Sequence, residues 1–88
     1  MKLELFGMAR HVVGAGVLDV PVGEPATVRT VLGAAARLAP ALVGTVLEAD
    51  GTPIPPHYLL MDGRVAVGMD EAIRDADHPC LLVLASGG

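Results

Sequence analysis

Residues 27–40 break the period of the sequence, and that break restricts the fold more than any other feature. Val28, Val31, Leu32, Ala35, Leu38 and Ala39 recur at three- and four-residue steps, which places one apolar stripe along an α-helix. Thr27 offers an N-cap oxygen and Pro40 stops the helix. Gly33 in its interior costs about 1 kcal/mol relative to alanine, so the helix depends on packing against another element. The small residues Ala34 to Ala36 allow that approach to be close.

On either side of this helix the pattern is that of strands. Residues 2–6 alternate, with Leu3 and Leu5 on one face and Lys2, Glu4 and Phe6 on the other. Gly7 and Gly14 to Gly16 read as a turn region, after which residues 17–20 form a second strand closed by Pro21 and Gly23. The expectation is a β-hairpin whose loop exposes Arg10 and His11. Residues 41–48 are apolar but irregular, a loop or short helical turn feeding the core, and residues 50–56 are a proline-rich loop. Asp62-Gly63 between the apolar runs 57–61 and 64–67 predicts a hairpin with a type I′ turn, because both central positions of that turn need positive φ. Residues 69–73 suggest one short turn, and a final strand starts at Cys80 after Pro79. The count of β, β, α, β, β, β implies an α+β roll in which a sheet of four to five strands packs on one main helix.

At 88 residues there is room for one domain, expected over residues 1–84, and a tail at residues 85–88. The core must be aliphatic, since Phe6 and Tyr58 are the only aromatic residues. A formal charge of −4 and six scattered basic residues argue against nucleic acid, and two aromatics make no stacking platform. The lone Cys80 cannot form an internal disulfide, and the first residues carry an acid where a signal peptide is apolar. Arg29, Arg37, Pro40 and Glu48 interrupt the richest apolar region, so no membrane span is expected. These features point to a cytoplasmic protein.

Catalytic arrangements are missing from the sequence. His11, His57 and His78 lie in separate segments, and His78 with Cys80 offers two metal ligands where zinc takes three or four. No phosphate-binding glycine loop occurs, and Asp70, Glu71, Asp75 and Asp77 read as a solvated acidic face rather than as paired acid and base. What remains is the ending, Ala85-Ser86-Gly87-Gly88. Without β-carbons, Gly87 and Gly88 tolerate nearly any backbone angle and can thread a narrow cleft of another protein. Four extended residues reach roughly 13 Å beyond a folded body. A carboxylate presented in this way reacts only after activation, for example by adenylation with ATP and magnesium.

The opening Leu3-Glu4-Leu5-Phe6-Gly7-Met8-Ala9-Arg10, the Thr27-Val28 helix start, Leu59-Leu60-Met61-Asp62-Gly63-Arg64 and the terminal Gly-Gly together resemble the MoaD/ThiS family of ubiquitin-like sulfur carriers. The resemblance implies a β-grasp fold with the first and last strands adjacent and parallel. It implies a co-substrate rather than an enzyme, possible also as the small subunit of a molybdopterin synthase-like complex. An adenylyltransferase resembling ubiquitin-activating enzymes would act on Gly88, and a sulfur donor would convert it to a thiocarboxylate. A synthase or large subunit would then accept the sulfur for molybdopterin, thiamine, cysteine or tRNA thiolation. No cofactor or metal is implied in the chain itself. The resemblance places partner contacts at Phe6, Arg10, Val65, Leu82, Leu84 and Ser86. Ala76-Asp77-His78 and Val83-Leu84 depart from the Gly-Asp-Glu and Pro-Pro of many molybdopterin-branch members. Conjugation to lysines through Gly88, as a ubiquitin-like modifier, and a plain interaction domain are the alternatives.

Overall fold

In the computed structural model, which describes residues 1–83, the first and last strands lie side by side at the middle of a five-stranded sheet. The elements are β1 (Lys2–Leu5), α1 (Gly7–Val13), β2 (Val17–Asp19), β3 (Ala26–Thr27), α2 (Val28–Leu38), β4 (His57–Met61), β5 (Arg64–Val65), β6 (Ala72–Ile73) and β7 (Cys80–Val83). Short 3₁₀ turns occupy Pro40–Leu42 and Asp75–Asp77. The main sheet runs β2-β1-β7-β4-β5. β1 and β7 are parallel, with Glu4 opposite Cys80 and Leu5 opposite Leu81, and the other pairs are antiparallel. This is the mixed sheet on one principal helix expected from the sequence.

Helix α2 begins where the sequence places it. The Thr27 hydroxyl accepts from the Thr30 N–H at 3.3 Å, and Thr30 Oγ1 accepts from the Thr27 N–H at 2.9 Å. Two further N–H groups of its first turn donate outside the helix, Val28 to the Glu71 carbonyl at 3.0 Å and Arg29 to the Met69 carbonyl at 2.7 Å. The residues that receive them lead into β6, which pairs with β3 in a separate two-stranded sheet. The turn expected at residues 69–73 is therefore a strand in part, and its role is to moor the start of the helix.

The buried stripe of α2 holds Val28, Val31, Leu32 and Ala35 as expected, but Leu38 is exposed because the helix runs out at its own last residue. Ala34 and Ala36 are buried as well, so the helix is covered on a second side. At Gly33 the cover is the loop at residues 50–51: at Gly51, with φ +95°, an added Cβ would sit 2.5 Å from the Gly33 nitrogen. Neither glycine has a side chain to hold the two backbones apart, which accounts for Gly33 inside a helix. Leu42, Val46 and Leu47 are fully buried, so residues 41–48 do feed the core.

The expected loop between the first two strands is instead helix α1. Ala9 is fully buried, Val12 and Val13 pack against the core, and Gly14, at φ +81°, ends the helix by donating to the Arg10 carbonyl at 2.8 Å. Arg10 and His11 are exposed as expected, but from a helix. The Asp62-Gly63 turn has positive φ at both residues, 49° and 80°, as type I′ demands.

Candidate functional site: the outer sheet face and the terminal strand

Alternation along the strands gives the sheet a buried face and an open one. Leu3, Leu5, Leu59, Met61 and Leu81 point toward α2 and are essentially inaccessible. Their neighbours point the other way. Glu4 is level with Val17 and Cys80, and Leu60 is level with Cys80 and Val65, so these five form one row across the open face. In the next row Tyr58 stands opposite Leu82, and Phe6, one step past the Leu5–Leu81 pair, falls level with Leu82. Phe6 is 45% exposed and Tyr58 39% exposed. An aliphatic core explains why the only two aromatic side chains are free to sit outside it, and aromatic residues gathered on an open face are a frequent mark of a binding surface.

The structure thus brings Phe6, Val65 and Leu82 onto one face, and it adds Tyr58, Leu60 and Val17, which the sequence reading did not single out. The period-two pattern was present at residues 57–61, where buried His57, Leu59 and Met61 alternate with Tyr58 and Leu60, but all five residues are bulky and the alternation carries no polar marker. Arg10 is not on this face. It lies on α1, at the end of the sheet where β1 and β7 both finish, with its guanidinium over Gly16. Among the described residues it forms no ion pair. Leu84, Ser86, Gly87 and Gly88 lie outside the described residues.

Strand β7 is bounded on both sides, by β1 and β4, so the segment entering residues 84–88 is fixed by two ladders of hydrogen bonds. The Cys80 thiol donates to Glu4 Oε2 at 3.2 Å, and burial, with the Glu4 carboxylate beside it, pushes the thiol up to about 11. A thiol held protonated at neutral pH is a poor nucleophile. His78 lies outside the strand that begins at Cys80, as the sequence reading placed it. It ends the 3₁₀ turn with φ 51°. Among the described residues no three His, Cys, Asp or Glu side chains gather as a metal site, and no helix is long and apolar enough to cross a membrane.

The acidic residues near the end of the chain are paired rather than merely solvated. Glu71 pairs with Arg64 and accepts from the Val67 N–H at 2.9 Å, and its carboxyl is lowered by the Arg64 hydrogen bond first and by Val67 second. Asp77 accepts from the Arg74 N–H at 2.8 Å and from its guanidinium at 3.2 Å, which lower it too. Asp70 sits 3.2 Å from Arg29. These pairs tie the segment around β6 to α2 and to the β5 hairpin. His57 is buried at the start of β4, where Nδ1 donates to the Ile54 carbonyl at 2.9 Å and Nε2 has no partner among the described residues.

A parallel pair of first and last strands at the sheet centre, crossed by one helix, defines the β-grasp fold of ubiquitin-like proteins. The crystal structure of SAMP1 from Haloferax volcanii matches with a TM-score of 0.79 at 31% identity, covering 99% of this chain and 97% of that one. A crystal structure of H. volcanii small archaeal modifier protein 1 matches with a TM-score of 0.70 at 29% identity, over 91% of this chain and 88% of that one. The solution structure of the Haloferax volcanii HVO 2177 protein matches with a TM-score of 0.73 at 32% identity, over 99% and 84%. No protein-family model and no curated protein sequence matches the chain. The chain belongs to the family of small archaeal modifier proteins, ubiquitin-like proteins of the MoaD/ThiS type.

Proposed function

We propose that this protein is a sulfur carrier that reacts through the carboxylate of Gly88. The observation that carries the reading is the position of β7: the strand is locked at the sheet centre, beside an open apolar face, and the sequence runs from it within five residues to Gly87-Gly88. An activating enzyme of the ubiquitin-activating type docks on Phe6, Tyr58, Leu82 and Val65. Arg10, at the end of the sheet from which the tail departs, meets acidic groups of that enzyme, and Leu84 and Ser86 are held in its cleft. The Gly88 carboxylate attacks the α-phosphorus of ATP and releases pyrophosphate. Hydrosulfide supplied by the donor then attacks the acyl carbon, the bond from that carbon to the AMP oxygen breaks, AMP departs and loss of the sulfur-bound proton leaves the thiocarboxylate. ATP and magnesium belong to the enzyme, and the chain supplies the carboxylate and the docking face.

Incubation with ATP, magnesium, the activating enzyme and a sulfur donor is expected to raise the intact mass by the difference between a sulfur and an oxygen atom. An unchanged mass, with the enzyme shown to be active, overturns the reading. A second reading is favoured by the description of a matched structure as a small archaeal modifier protein. In it the same adenylate is attacked by a lysine amine of a target protein, and higher-mass conjugates that vanish on deletion of Gly88 identify it.

A further inference from the structure

We propose that the hollow beside His57 is the seat of a tryptophan side chain from a partner protein. The inference does not depend on how Gly88 reacts. His57 is buried at the start of β4, with 8% of the residue exposed. A carbonyl can only accept, so Nδ1, 2.9 Å from the Ile54 oxygen, carries the proton, and Nε2 of the neutral imidazole is left as an acceptor. That nitrogen is closed off from water and has no partner among the described residues. An acceptor left in this state destabilises the fold, and native structures keep few of them without a use.

His57 lines a hollow of about 270 Å³. Val28, Pro53, Pro55, Leu59, Val67 and Met69 make up most of its wall, and among the described residues no charged side chain contributes to it. The volume falls just below the roughly 300 to 1,000 Å³ of sites for drug-sized ligands, which suits one ring system and not an extended cofactor. An uncharged wall gives no hold on the phosphate, carboxylate or ammonium group of a free metabolite, whereas a side chain of a protein carries its polar backbone outside. Tyr58 and Val65 also border the hollow, and both belong to the open face of the sheet, so a protein lying on that face reaches it across β5. Val67, at the rim, is 92% exposed and offers that partner a further apolar contact.

One acceptor in an apolar wall is matched by a group with one donor, no acceptor and a large apolar body. The indole of tryptophan has that inventory, since its Nε1–H donates and no atom of it accepts. A tyrosine hydroxyl also donates, but it brings two lone pairs that need donors of their own. Because Nε2 is sealed in the unbound protein, entry of the ring must shift part of the wall. Met69 can yield, being unbranched and adaptable, with a sulfur that packs well against an aromatic edge. A tryptophan seated in a pocket beside a wider apolar contact is also the kind of anchor that dominates an interface.

The test titrates isotope-labelled protein with N-acetyltryptophanamide and with its ring N-methyl derivative, which keeps the apolar body and loses the donor. The parent compound is expected to bind saturably, to shift the amides of His57, Leu59 and Met69, to show nuclear Overhauser contacts with the Val28 and Leu59 methyls, and to move the His57 Nε2 resonance. The methylated compound is expected to bind roughly 10-fold more weakly and to leave Nε2 unmoved. His57→Phe, which keeps a ring and removes the acceptor, should bind the two compounds equally. The Nε2 resonance of wild type decides the matter if that variant does not fold. Absence of saturable binding, equal affinities on wild type, shifts confined to Phe6 and Leu82, or tighter binding of N-acetyltyrosinamide overturns the proposal. Binding of free indole without binding of N-acetyltryptophanamide overturns the assignment to a protein side chain.

Discussion

Alanine substituted separately at Leu81 and Leu82 divides the packing role of β7 from its docking role, because the two neighbours face opposite sides of the same strand. Leu81 is fully buried between Leu5 and Leu59 in register and lies over the helix. Truncating such a leucine costs about 2 to 5 kcal/mol, the transfer of its methyl groups plus the cavity left behind. For a domain of this size roughly 3 kcal/mol corresponds to a fall in Tm of about 12 to 24 °C, a large share of its stability. Leu82 is half-buried on the open face, so its truncation removes about 1 kcal/mol of burial. Its principal effect is expected on association with the activating enzyme, where loss of a central apolar contact costs about 1 to 2 kcal/mol, or a factor of roughly 5 to 30 in Kd. Urea titration followed by circular dichroism gives the first quantity and calorimetric titration with the enzyme gives the second. Equal destabilisation by the two substitutions, or an unchanged Kd for Leu82→Ala, would refute the division of the sheet into a core face and a docking face.

Gly51→Ala is expected to destabilise the fold by more than an ordinary surface substitution, since the residue has φ +95° and its new Cβ would meet the α2 backbone at 2.5 Å. A urea midpoint equal to wild type would show that the loop does not press on the helix. Acid should weaken the molecule through Glu71 and Asp77, whose carboxyls are lowered from 4.5 and 3.8 in the folded state. The stability they contribute is complete above those ordinary values and is lost as pH falls through the lowered ones. Comparison of urea midpoints at neutral pH and in acid should show a drop that Glu71→Gln reduces, and a wild type and variant with parallel pH profiles would contradict this.

What could be read from the sequence depended on how local the determining forces are. The Thr27 cap and the Asp62-Gly63 turn act within four residues of chain, and each appears where its chemistry puts it. Phe6 turns outward because the polar residues Lys2 and Glu4 mark that side of β1. Helix α1 escaped notice because glycines stand at both its ends and its apolar contacts cover barely two turns. β3 and β6 are two residues each, strands only by virtue of pairing with one another across more than forty residues. The close cover over Gly33 likewise comes from a loop that arrives from beyond the helix, which no periodicity within the helix records.

The most direct test of the central claim is ATP–pyrophosphate exchange with the activating enzyme, measured for wild type and for a chain carrying one alanine after Gly88. A main-chain carboxylate that must enter the enzyme at the Gly88 position predicts exchange by wild type alone, with identical melting curves for the two proteins. Equal exchange by the extended chain, without removal of the added residue, would contradict it.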